Sequence, residues 1–123
     1  MTSDQERLYW VEMSRLAKTG LITIDRPKGQ PHPNWPDLIY PLDYGYLENT
    51  SASDGGGIDI WLGSLSKRTL TGILCTFDIN KRDAEIKLLL GCTEEDINTI
   101  LNFNTEDMRY LFIKNSLEAH ELP

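Results

Sequence analysis

Apolar residues recur at Leu8, Val11, Met13, Leu16 and Ala17 in SDQERLYWVEMSRLAKTG, mostly the three-and-four spacing of one helix face. Ser3 stands three residues before Glu6, the reciprocal capping pattern, and Gly20 closes the segment, so a helix over about residues 3–19 is expected. Trp10 and Tyr9 fall beside the stripe, open to core packing or to a subunit contact. The pattern then shortens. LITID reads as a strand, and RPKGQPHPNWP, with four prolines in eleven residues, as a loop that denies the backbone helix and ladder bonding. LIY is a brief strand, IDIWLG alternates as one, and LTGILCTFDI and AEIKLLLG form two more around a turn at Asn80 to Asp83.

Helical signals return near the end, where Thr93 and Asp96 stand three apart before EEDINTILNF and acids fill the first turn. Met108, Leu111, Phe112 and Leu117 in TEDMRYLFIKNSL suggest a further helix, and His120 falls in a polar tail. The expected fold class is α+β with a mainly β core, four or five short strands closing as a small antiparallel barrel or sheet. No repeat or linker interrupts it. The expected layout is one domain over residues 1–123, with the β core at about 21–91 and C-terminal helices at about 93–118.

Composition narrows the partners. At 123 residues and 40% hydrophobic, the chain can bury a core, while no run of about 18 apolar residues offers a membrane span. The N-terminal MTSDQERLYW lacks the layout of a signal peptide, and a cytoplasmic protein is expected. Nineteen acidic against twelve basic residues leave a net charge of −7, which disfavours nucleic acid and anionic membranes. Cations, or anions carried with cations, fit better. Cys75 and Cys92 lie in apolar surroundings without metal-ligand spacing and read as reduced core residues.

The chemistry concentrates in aspartates. DGGGIDI sets Asp54 and Asp59 around three glycines, whose freedom can bend both carboxylates together. Asp78 and Asp83 bracket the expected turn in FDINKRDAE. Two such pairs suggest an oxygen-rich cage for Mg²⁺, which takes carboxylates and water and shares its remaining positions with substrate phosphates. Each pair alone reads more readily as a local turn role, since Asp is common in turns.

LIYPLDYGYLENTSASDGGGIDI as one string resembles the Mg²⁺-dependent soluble inorganic pyrophosphatases, which carry Tyr-Pro-x-x-Tyr-Gly followed by Asp-Gly-Asp-Pro-φ-Asp-φ, φ being apolar. Tyr40, Pro41, Tyr44, Gly45 and Tyr46 match the first motif, and Asp54, Gly55, Ile58, Asp59 and Ile60 the second. The resemblance runs on through GILCTFDINKRDAEIK and back to LITIDRP. It implies a small five-stranded, OB-like barrel with an N-terminal helix and one or two C-terminal helices. It also implies a Mg²⁺ cofactor, with Mn²⁺ as an alternative, and metal ligands at Asp54, Asp59, Asp78, Asp83 and, as an outer acid, Asp25. Asp54 and Asp59 would carry the catalysis, and Tyr44 would donate to a phosphate oxygen.

Departures from the family pattern are specific. Its middle aspartate, the general base, is Gly56 here, and its proline is Gly57. His32 stands where the family has an arginine, and Glu85 stands where a lysine would follow the second aspartate pair, leaving Lys87 two residues further on. Phosphate charge then falls to Lys28, His32 and Lys87, to Arg26 and the turn residues Lys81 and Arg82, or to a partner subunit. The resemblance thus implies hydrolysis of a phosphoanhydride, pyrophosphate by default, in a homo-oligomer. The alternatives are a metal- or phosphate-binding module of the same fold without turnover, a hydrolase of a bulkier phosphorylated substrate, and a subunit-contact protein using the Trp10 helix.

Overall fold

A computed structural model describes residues 3–103 and 105–117; His120 lies outside them. The order is α1 (Asp4–Thr19), β1 (Ile22–Arg26), β2 (Asp43–Leu47), β3 (Ile58–Leu62), β4 (Leu70–Asp78), β5 (Asp83–Leu90), α2 (Glu94–Asn102) and β6 (Met108–Lys114). The strands form one mixed sheet in the order β1-β2-β3-β5-β4-β6, with β3 and β5 parallel and every other pair antiparallel. The expected five-stranded barrel is therefore an open six-stranded sheet with β1 and β6 at its edges.

Both helix starts are built as their sequences imply. The Ser3 side chain accepts from the Glu6 N–H, and Thr93 with Asp96 makes a complete capping box. In α1 the core-facing residues are Trp10 and Ala17, with Met13 and Leu16 packed beside them; Leu8 is left exposed, so the apolar face is rotated from the expected stripe. Arg68 fixes the end of α1 by donating to the carbonyls of Ala17 and Gly20, each at 2.7 Å.

The second C-terminal helix is not formed. MRYLFIK alternates aromatic and aliphatic residues with period two, and it pairs along β4 from Gly72↔Lys114 to Asp78↔Met108. The brief LIY strand reduces to a single bridge, Pro31↔Ile39, whereas DYGYL becomes a full strand paired on both sides. Gly45 permits that pairing, because a Cβ there would sit 1.9 Å from the Thr23 carbonyl oxygen.

The sheet carries a core on each face. One packs Leu47, Ile60, Ile73, Leu88 and Leu90 under α1. The other packs Trp61, Leu74 and Leu89 against Ile100 and Phe103 of the α2 region, with Tyr40 and Leu42 from the preceding loop. Asp59, on the same face of β3 as Trp61, and Lys87, on the same face of β5 as Leu89, emerge beside this second core.

Candidate functional site

Tyr44 on β2, Asp59 on β3 and Lys87 on β5 meet where the second core gives way to polar groups. The Tyr44 hydroxyl donates to Asp59 Oδ2 at 2.7 Å, and Lys87 Nζ donates to the Tyr44 oxygen at 2.6 Å and to Asp59 Oδ2 at 3.2 Å. Lys87 Nζ also lies 3.6 Å from Glu85 Oε2. Its side chain is only 12% exposed, so the ammonium is held among oxygens rather than in bulk water. Burial, and then the charge of Asp59, push the Tyr44 phenol far above its ordinary range and keep it a proton donor.

Glu85 connects these groups to Asp54. Its carboxyl is in hydrogen-bond contact with the Asp54 side chain and within the electrostatic reach of Asp59. Burial raises its proton affinity, Lys87 opposes that, and the Asp54 and Asp59 carboxylates add to it. Neighbouring carboxyls repel when both are charged, a repulsion that a cation nearby would relieve. Glu85 was recognised in the sequence only as standing at a lysine's place; the signal for its position was the alternation of 83, 85 and 87 on one strand.

The three glycines differ in what the backbone asks of them. Gly55 adopts φ +88, a left-handed turn that lets Asp54 accept from the Gly56 N–H at 2.9 Å. Gly57 passes so close to β2 that a Cβ would lie 2.7 Å from the Leu47 carbonyl oxygen and 2.8 Å from the Tyr46 ring, which excludes a side chain. At Gly56 a Cβ would meet only the Asp54 carboxylate, whose Oδ1 is nearest at 3.4 Å, so this position is open to a side chain it does not carry.

Beside Lys87 lies a cavity of about 190 Å³, lined among others by His32, Tyr44, Asp78, Lys81 and Tyr110. Its floor is a set of packed rings, Tyr40, Tyr44, Trp61 and Phe103, with centroid separations from 4.7 to 5.7 Å. His32 Nδ1 accepts from the Asn34 N–H at 3.0 Å, and its ring stacks on Tyr40. Burial and the nearby Arg26 lower its proton affinity, so at neutral pH it is an uncharged ring with its proton on Nε2. Tyr110 donates to the Phe103 carbonyl at 2.7 Å, and burial raises its phenol to about 12.

The remaining aspartates divide. Asp78 and Asp83 face each other at the end of the β4–β5 hairpin, but Asp78 spends one oxygen on the turn, accepting from Asn80 and Lys81 N–H groups at 2.9 Å. Asp78 lines the cavity; Asp83, exposed, does not. Asp25 falls at the irregularity between Ile24 and Arg26, within electrostatic reach of Tyr40. Lys28 is exposed and outside the lining, its backbone N–H donating to Asp43 Oδ1 at 2.8 Å. Among the described residues no three acidic, histidine or cysteine side chains gather closely enough to hold a metal ion.

A mixed sheet flanked by two helices in this order has the fold of the inorganic pyrophosphatases, and in sequence the chain is similar to one of them. It is 30% identical over 107 residues, 84% of its length, to the inorganic pyrophosphatase of Halalkalibacterium halodurans, and spans 57% of that relative. Among solved structures it superimposes on the inorganic pyrophosphatase of Helicobacter pylori with a TM-score of 0.54 at 17% identity, covering 80% of this chain and 85% of that one. For an inorganic pyrophosphatase from Coxiella burnetii the TM-score is 0.51 at 14% identity, with 85% and 84% covered. No protein-family model matches the chain.

Proposed function

We propose that the chain hydrolyses a phosphoanhydride, inorganic pyrophosphate being the reading best supported, with a divalent cation, Mg²⁺ first. The observation that carries this is the juxtaposition of Tyr44, Asp59 and Lys87 with the Asp54–Glu85 carboxyls, beside a cavity reached by a second ammonium, Lys81. A polyanion entering with its cation needs both kinds of group at once. The kinship in sequence and fold with inorganic pyrophosphatases points the same way.

The oxygen donors suit a hard cation, and the Asp54–Glu85 contact is a place that a positive charge would relieve. In this reading Asp54 and Asp59 would hold the ion, and Asp78 and Asp83 at the hairpin end would hold one arriving with the phosphate, with Asp25 outside them. Such an ion polarises phosphoryl oxygens and lowers the pKa of bound water. Lys87 neutralises a phosphoryl oxygen, Tyr44 donates its hydroxyl to another, and Lys81 and the neutral His32 orient the far end. Lys28 steers from outside the cavity. Phosphate release measured from pyrophosphate with Mg²⁺ or Mn²⁺, against chelator and Asp59→Asn, tests the proposal; release that survives either would refute it.

A second reading, a binding module without turnover, is favoured by the missing side chain at Gly56 and by the dispersed aspartates. It expects a Mg²⁺-dependent thermal shift with phosphate and no product over hours. Self-association belongs to the same proposal. Phe77, Ile86, Leu111 and Ile113 lie exposed on the α1 side of β4, β5 and β6, an apolar face suited to another copy. Sedimentation would check it, and cell fractionation the expected cytoplasmic location. Among the described residues no helix is long and apolar enough to cross a membrane.

A further inference from the structure

We infer that the site takes nucleoside phosphoanhydrides as well as pyrophosphate, with the phosphates seated at Lys87 and Lys81 and the base stacked on Trp35. The inference rests on the phosphoanhydride reading above and names the substrate class for that site.

The inner cavity does not end at its phosphate-binding groups. It shares Trp35 and Thr105 with an adjoining groove of about 410 Å³, lined by Trp35, Asp37, Leu38, Thr105 and Glu106. Together they give an inner cationic end and an outer end walled by an indole and an aliphatic side chain.

Trp35 is placed for this without being needed for the core. Its indole is 38% exposed, whereas Trp10 and Trp61 are each 3% exposed and belong to the packed clusters. The loop that carries it is ordered in advance. Trp35 N–H donates to the His32 carbonyl at 3.3 Å and accepts at its own carbonyl from Leu38 at 2.9 Å, while His32 N–H donates back to Leu38. Pro33 and Pro36 restrict the backbone on either side, and the His32 ring packs edge-on against the indole at 5.1 Å. A rigid, exposed aromatic next to ammonium groups is the combination that holds nucleotides, since every base has a π face to stack.

The rim also selects. Asp37 and Glu106 are exposed carboxylates in the outer groove, where they would repel a further phosphate but accept hydrogen bonds from the amino groups of a base. The groove therefore suits the base end of the ligand and disfavours a longer chain of phosphates.

The test compares dissociation constants of ADP and of pyrophosphate, each with Mg²⁺, by calorimetry on the full chain and on Trp35→Ala and Trp35→Phe. Release of phosphate from both compounds is followed in parallel. Stacking on one aromatic side chain predicts that Trp35→Ala weakens ADP relative to pyrophosphate by about tenfold or more and that Trp35→Phe restores most of the ratio. A ratio unmoved by Trp35→Ala, or no binding of ADP by a parent chain that binds pyrophosphate, overturns the inference and leaves pyrophosphate hydrolysis standing. Absence of release from either compound refutes the hydrolase reading instead, and the binding ratio still decides the role of Trp35.

Discussion

Position 56 and position 85 pose one question between them: where the carboxylate beside Asp54 comes from. Gly56 has none, and Glu85 reaches Asp54 from the neighbouring strand. Because a Cβ at 56 would meet only the Asp54 carboxylate, at 3.4 Å or more, Gly56→Asp should fold and should raise phosphate release by about tenfold or more, the scale on which an added general base acts. A variant that folds with an unchanged or lower rate would show that the site does not need a side chain there. Lys87→Met removes the ammonium between Asp59 and Glu85, and is expected to weaken binding of phosphate by about tenfold, read by calorimetry. Asp54 and Asp59 stand out in the sequence through their match to the pyrophosphatase motif, because aspartates around glycines are by themselves ordinary turn residues. Glu85 does not, because a single glutamate on a strand carries no signal until its neighbours across the sheet are known.

At the scale of elements, the two helices and four of the six strands were readable from periodicity and caps, and the two exceptions have physical causes. DYGYL holds a glycine and is preceded by a proline, both of which argue against a strand, yet Gly45 is what lets β1 approach β2. MRYLFIK supports a helical stripe and an alternating one equally; its pairing along β4 decides. Asp96 shows how one side chain secures a junction. It accepts from the Ser64 N–H at 2.9 Å, the Ser64 hydroxyl at 2.8 Å and the Thr93 N–H at 3.0 Å. Burial by itself would raise its carboxyl, and these bonds outweigh burial and hold it below the ordinary aspartate range. Its contribution is complete above that range and is lost as pH falls through the lowered folded value. Asp96→Ala should therefore cost about 2 kcal/mol at neutral pH, measured by urea unfolding, with the difference from the parent shrinking in acid.

For the whole molecule, charge and topology act together. A net charge of −7 would oppose a polyanionic substrate unless the local cations face it, and Lys81 and Lys87 do so at one end of the cavity. A divalent ion bound only by the folded chain adds stability by mass action, so Mg²⁺ with phosphate is expected to raise the melting temperature, and chelator to reverse the rise. The open sheet was not readable, because barrel closure depends on which strand finally covers β4, and that strand had been read as a helix. Metal-dependent hydrolysis is tested by phosphate release from pyrophosphate by the parent chain and by Asp59→Asn, with and without Mg²⁺. Release should require Mg²⁺ and fall by about 10² or more in the variant. Equal release by the two proteins, or none from the parent with Mg²⁺ shown to be bound, would contradict metal-dependent hydrolysis.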